Sequence, residues 1–351
     1  MNILVDLHHE DLFLSLQLLF EHRLGHRLYR PIGEEWFYQG YWKIAEPYGN
    51  NPTTITQYLG IRDETYYPPD GRPPLNDIKE FKEGYYLVKG QPLDHKAITF
   101  DQFLSMDVDV VIASIPAHYE AYDQLIQRHK PNAKLICQFG NILWNITDYP
   151  YKNILASVAP QPTPPGYNVV YYHQEFAVDT FNLPKRPSSK KIYSFINCLP
   201  EKADDWWLFQ ELERLMPDWE FRSYGASCRD GILNGHDQLA RKMAECTLGY
   251  QVKEWGDGYG HCIHNLACSG TPVITRFADY QGKLAEPLLK DQQTALFVDN
   301  KLPGEIVINV RNFVQEPNYA QACQAMREAF QYNVNFDKEQ QAIEAFLQKL
   351  I

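Results

Sequence analysis

Short apolar runs alternate along most of the chain with stretches whose apolar residues recur at helical spacing. Asn2-Ile3-Leu4-Val5-Asp6 reads as a short buried strand. After it Leu12, Leu16, Leu19 and Phe20 share one helical face, which Leu14 and Leu18 widen. Gly25 marks the stop of that helix, and Arg27-Leu28-Tyr29 the next strand. A strand, helix and strand so closely spaced predict a parallel pair joined by a right-handed crossover. The pattern continues with a strand over 108–113, a helix over 117–129, and strands over 133–137, 153–158 and 168–172.

The alternation then starts again. Strands are predicted over 191–197, 219–223, 247–250, 272–275 and 294–298, with helices over 203–215, 236–246 and 261–269 and a helical end through residue 349. Between the two series lies Pro160-Gln161-Pro162-Thr163-Pro164-Pro165-Gly166, which cannot continue a helix or an inner strand and reads as a stiff connection. A polar stretch from Pro184 to Lys191 follows, and the domain boundary is placed between the two. The predicted fold is α/β, with two Rossmann-like β/α/β domains facing a cleft.

One part is irregular. The stretch 60–74 holds Pro68, Pro69, Gly71, Pro73 and Pro74, so a loop or insertion is expected there. Aromatics crowd residues 36–67, where they would line a pocket or fill an irregular core. Order returns at Thr99-Phe100-Asp101-Gln102, a capping-box pattern before a short helix.

Composition supports two ordinary packed domains. The chain has 351 residues, and 33 basic against 44 acidic side chains give a net charge of −11. A pI near 5.5 disfavours broad electrostatic binding to nucleic acid or anionic lipid, although a local basic patch would be compatible with it. No window has the apolar length of a membrane span, and the start lacks a signal-peptide pattern, so a cytoplasmic protein is expected. The seven cysteines are odd in number, dispersed and without a CxxC pair, which predicts reduced thiols.

The most informative segment runs from Lys253 to Ile274. Gly256, Gly258 and Gly260 predict a turn in which backbone can approach a ligand closely. A helix beginning near His261 would offer its free N–H groups and positive dipole end to a phosphate. A tight turn without any ligand is the alternative reading of the same glycines.

Asp257-Gly258-Tyr259-Gly260, followed by a helix and then Ala267-Cys268-Ser269-Gly270-Thr271-Pro272-Val273-Ile274, resembles the nucleotide-sugar signature of GT-B glycosyltransferases, especially the retaining E-x7-E family. Looser likenesses follow in the family's order: Gly25-His26, Glu175 to Phe181, Lys191 to Cys198, Arg222-Ser223-Tyr224-Gly225, and Gln293 to Val298. The family's first Glu falls on Asp257 and its second on Asn265, which keeps hydrogen bonding to ribose hydroxyls without the charge. His8-His9-Glu10 replaces the Gly-rich turn after the first strand, and the family's Arg/Lys pair for the diphosphate has no clear counterpart at 197–202.

The resemblance implies a metal-independent glycosyltransferase acting on an unidentified acceptor. Residues 1–170 would form the acceptor domain, with helix 337–351 packing back onto it, and 171–336 the donor domain. No cofactor is implied beyond the nucleotide sugar itself as substrate. Arg222, Lys202 and Lys253 are the candidate cations for the departing diphosphate, Arg222 first because it ends a strand toward the cleft. Gly258, Tyr259, Gly260, His261 and Asn265 complete the expected donor site. His8, His9, His118 and Asp257 are the candidates for the chemistry, the histidines because they follow strands at the ligand-binding edge of an open sheet. His173 and Glu175 enter the second domain as hinge or cleft residues. The spacing of His261, Cys262, His264 and Cys268 is not a standard zinc pattern, so no metal site is expected. The alternatives are an epimerase on the same fold or a non-catalytic nucleotide- or sugar-binding module. A nicotinamide dehydrogenase is disfavoured, because no GxGxxG follows the first strand.

Overall fold

The computed structural model describes residues 1–6, 10–31, 87–88, 91–92, 96–98, 100–114, 116–140, 145–184 and 189–350. His8, His9, the aromatic stretch 36–67 and the proline-rich stretch 60–74 lie outside the described residues.

The first half is built on a parallel sheet of seven strands. They are β1 (Asn2–Val5), β2 (Arg27–Pro31), β5 (Lys96–Ile98), β6 (Val110–Ala113), β7 (Lys134–Phe139), β8 (Asn153–Ala156) and β9 (Asn168–Tyr171), in the order β5-β2-β1-β6-β7-β8-β9. A separate hairpin pairs β3 (Leu87–Val88) with β4 (Gln91–Pro92). The second sheet has five parallel strands, β10 (Lys191–Ser194), β11 (Glu220–Ser223), β12 (Leu248–Gln251), β13 (Val273–Thr275) and β14 (Ala295–Phe297), in the order β11-β10-β12-β13-β14.

Both sheets are covered on both faces, which is why their strands read as continuous apolar runs. Side-chain alternation sends Ile3, Val5, Val110 and Ile112 to one face of the first sheet, and Leu4, Val111 and Ala113 to the other. The first face packs on helix α1 (Glu10–Gln17), which continues as a π turn to Arg23. The second is covered after the short helix α2 (Phe100–Ser105) by α3 (Pro116–His129), through Tyr119, Tyr122, Leu125 and Ile126. In the second half, after the short α4 (Val178–Phe181), Leu208, Phe209 and Leu212 of α5 (Ala203–Leu215) pack under Ile192, Leu248 and Ile274. The opposite face carries α6 (Gly235–Glu245) and α7 (His261–Cys268).

Three helices end the chain: α8 (Pro303–Phe313), α9 (Asn318–Asn333) and α10 (Phe336–Gln348). Ile343, Phe346 and Leu347 of α10 join the core formed by β1, α1 and β6, so the last helix returns to the first half.

Among the described residues no helix is long and apolar enough to cross a membrane. None of the seven cysteines forms a disulfide.

Candidate active site

In each sheet the chain order reverses at one place. In the first sheet β1 has β2 on one side and β6 on the other; in the second, β10 lies between β11 and β12. Loops leaving neighbouring strands at such a switch point part in opposite directions and leave a crevice at the carboxyl ends of the strands. The two crevices face each other here, and together they make a cleft of about 350 Å³. Its walls come from the predicted edges: Asp11 and Ser114 follow β1 and β6, Asn197 follows β10, and Gln251 and Lys253 end and follow β12. That volume lies within the range of small-molecule sites.

The floor on the second half is the glycine-rich turn and the start of α7. Gly258, Tyr259, Gly260, His261, Cys262 and Asn265 all line the cleft. Gly260 stands at the N-cap of α7 with φ +83°, and no side chain caps the helix. A Cβ there would lie 2.9 Å from that of Ala285. At Gly256, with φ +62°, it would lie 2.6 Å from the carbonyl oxygen of Asp279. These two glycines are therefore required by the turn and by close packing of the chain on itself, rather than by clearance for a ligand. The turn leaves the first N–H groups of α7 without a side-chain cap, at the end of the helix that lines the cleft.

Asp257 is the hub of the wall. It accepts from Gln251 Nε2 at 2.8 Å and from the Tyr280 hydroxyl at 3.2 Å, and it pairs with Lys253. Lys253 is the only lysine or arginine lining the cleft among the described residues. Asn265 is 2% exposed, and its Oδ1 has no partner among the described residues. Behind the turn, the rings of Tyr259 and His264 stack 4.2 Å apart. The Tyr259 hydroxyl reaches across to the backbone oxygen of Gln174 at 3.2 Å, tying the turn to the segment that joins the halves. Burial pushes the Tyr259 hydroxyl and the Cys262 thiol well up and the His264 ring well down, so all three are neutral near pH 7.

His118 is placed differently from the expectation. It is fully buried in α3 and does not line the cleft. Its Nδ1 pairs with Asp6, and the Ser114 hydroxyl donates to the same carboxylate oxygen at 2.8 Å. Ser114 does line the cleft, so the Asp6–His118 pair stands one side chain behind the wall.

Two of the three expected cations are absent from the cleft. Arg222 sits on edge strand β11, where its buried neighbours Phe221 and Ser223 turn inward and its own side chain turns to solvent. There it is held by Asp230 at 2.8 Å and Glu220 at 3.0 Å. Lys202 stands at the N-cap of α5, also outside the cleft lining. His173 and Glu175 are fastened in the connection between the halves. His173 pairs with Glu339 of α10 at 2.6 Å, and Glu175 with Arg23 at 2.7 Å. Burial raises the Glu175 carboxyl against the pull of Arg23. A further contact joins the halves, from His236 of α6 to Asp11 of α1 at 3.1 Å.

The residues that sequence reasoning missed are mostly amides. Gln138, Gln174, Gln251 and Asn197 all line the cleft. Gln138 and Gln251 each interrupt an otherwise apolar parallel strand near its carboxyl end, and a buried polar side chain in such a run demands a partner. That signal was available.

No family model matches the chain, and no curated protein matches it. Solved structures do. A glycosyltransferase from Rickettsia africae superposes with a TM-score of 0.58 at 12% identity, over 99% of this chain and 98% of its own. HepE of Anabaena, solved in complex with UDP-glucose, does so with 0.59 at 12% identity, over 99% and 100%. TarM of S. aureus, whose structure contains UDP, reaches 0.53 at 13% identity over 75% of this chain and 61% of its own. The likeness establishes the fold, which is that of the GT-B glycosyltransferases: two Rossmann-like domains facing a cleft.

Proposed function

We propose that the protein is a glycosyltransferase that takes a sugar from a UDP-sugar held on the second half and passes it, without a metal ion, to an acceptor entering from the first. The observation carrying this reading is the placement of the glycine-rich turn, the uncapped start of α7 and Asn265 together on one wall of the interdomain cleft. The UDP and UDP-glucose in the structures of TarM and HepE support the choice of uridine.

In transfer, the bond between the anomeric carbon and the diphosphate oxygen breaks. An acceptor hydroxyl oxygen bonds to that carbon, UDP leaves with the bonding electrons, and the hydroxyl proton passes to the departing diphosphate. The N–H groups at the start of α7, together with Lys253, oppose the charge gathering on the leaving diphosphate. Asn265 takes a ribose hydroxyl, Asp257 orients Lys253 and Gln251 around the sugar, and Gly258, Tyr259, Gly260 and His261 shape the seat. Through Ser114, the Asp6–His118 pair fixes the opposite wall. Bringing the halves together would exclude water and favour transfer over hydrolysis. An epimerase or a non-catalytic module is not favoured.

The test is release of UDP from UDP-sugars across a panel of glycan, lipid, peptide and small-molecule acceptors, with and without EDTA. Acceptor-dependent release that survives EDTA, and falls about 100-fold in Asp257→Asn, is expected. Binding of UDP-sugars without release from any acceptor would instead establish a non-catalytic module.

A further inference from the structure

Among the described residues, three amide oxygens of the cleft lining lack a hydrogen-bond partner: Oε1 of Gln138, Oε1 of Gln251 and Oδ1 of Asn265. The side chains are buried, at 0%, 2% and 2% exposure. Buried polar atoms are normally paired, so three orphans around one cleft point to groups that a ligand supplies.

For the two glutamines the neighbours fix which amide atom is the oxygen. Gln251 gives Nε2 to the Asp257 carboxylate at 2.8 Å, and a carboxylate only accepts, so the amide cannot turn round. Gln138 gives Nε2 to the hydroxyls of Ser157 and Tyr172, at 3.1 and 3.3 Å. Ser157 sends its own proton toward the Phe139 carbonyl at 3.4 Å while also accepting from Gln174 at 2.8 Å, so it is an acceptor for both amides. Gly140 leaves room for this cluster, since a Cβ there would come within 2.7 Å of Gln138 Nε2.

Gln138 belongs to the first half and Gln251 and Asn265 to the second, so the unmet acceptors stand on both walls. Unmet acceptors of this kind are complemented by hydroxyl groups. A carboxylate would instead meet carbonyl dipoles beside Asp257 and Asp11, with the one lysine of the lining already paired. Resting on the nucleotide-sugar reading above, we infer that the transferred sugar is neutral and polyhydroxylated, gripped through its hydroxyls by Gln138 and Gln251 from opposite sides of the cleft, and that sugars carrying a carboxylate are rejected.

The test is calorimetric titration of the full chain with UDP, UDP-glucose and UDP-glucuronate, the last two differing by a carboxylate at C6. UDP-glucose should bind at least about tenfold more tightly than UDP-glucuronate. Equal or tighter binding of UDP-glucuronate would overturn the inference and leave the donor site standing. No binding of any of the three would defeat both. Gln138→Leu should keep the wild-type affinity for UDP and lose the advantage of UDP-glucose over UDP; an undiminished advantage would overturn the two-sided grip. Should that variant fail to fold, the wild-type comparison still decides.

Discussion

His264 gives the wall of the cleft a built-in dependence on pH. Its Nδ1 lies 2.9 Å from the carbonyl oxygen of Gly260, which can only accept, so Nδ1 carries the proton. Nε2 is then the atom that would take up a second proton. It is buried without a partner among the described residues, and the ring is stacked on Tyr259 and next to His173. Burial, with His173 adding to it, holds the ring well below its ordinary 6.5. The unfolded chain therefore binds a proton at pH values where the folded one does not. The stability this neutral ring provides is fully present above the unfolded value and is lost as pH falls toward the depressed folded value. Below the unfolded value the slope approaches about 1.4 kcal/mol per pH unit, so stability should fall through this residue as the pH is lowered below about 6.5. For a half of this size each kcal/mol lost corresponds to a fall of roughly 2–4 °C in melting temperature.

The measurement is thermal unfolding between about pH 5 and pH 8 for the wild type and His264→Asn. The Asn amide nitrogen falls near the place of Nδ1, so it can still donate to Gly260 while carrying no titratable proton. The variant will be less stable at every pH, because the stacked ring is gone. Its pH slope below about 6.5 should nevertheless be flatter than that of the wild type by most of the stated ~1.4 kcal/mol per unit. Parallel slopes would refute the reasoning, by showing that His264 is not held neutral in the folded wall.

Gly260→Ala should cost about 2–4 kcal/mol, combining a left-handed residue with a Cβ pressed on Ala285, and urea unfolding would measure it. Phe346→Ala, which empties a buried site where α10 meets the first half, should cost about 3–5 kcal/mol in the same assay. Arg222→Ala should leave nucleotide affinity unchanged within about twofold, because its exposed ion pairs lie outside the cleft; a tenfold loss in a calorimetric titration would return it to the donor site.

Most of the fold could be read along the chain because parallel strands buried on both faces leave uninterrupted apolar runs. The amphipathic stretch 203–215 forms a helix over the same residues, with Leu208, Phe209 and Leu212 turned inward. Strand β5 escaped notice because three residues at a sheet edge are too few to show a period. The cleft wall on the second half was legible where local geometry makes it: Asp257, the turn and the start of α7 are neighbours in sequence. Arg222 misled because its fate depends on Asp230, which a loop brings back beside it, and on the outward phase of an edge strand. His118 had the right neighbourhood but the wrong depth, since its ring satisfies Asp6 inside the first half. The amides on opposite walls are distant in sequence, and only the facing of the two halves shows that they line one cleft.

The central claim is that the start of α7 and Asn265 form the seat of a nucleotide. The most direct test is calorimetric titration with UDP, GDP, ADP, dTDP and CMP on the wild type and on Asn265→Ala. The account predicts selective binding of UDP, weakened about tenfold or more when the Asn265 amide is removed. Failure of every nucleotide to bind, or UDP binding that ignores the loss of Asn265, would contradict it and leave the glycine-rich turn as architecture alone.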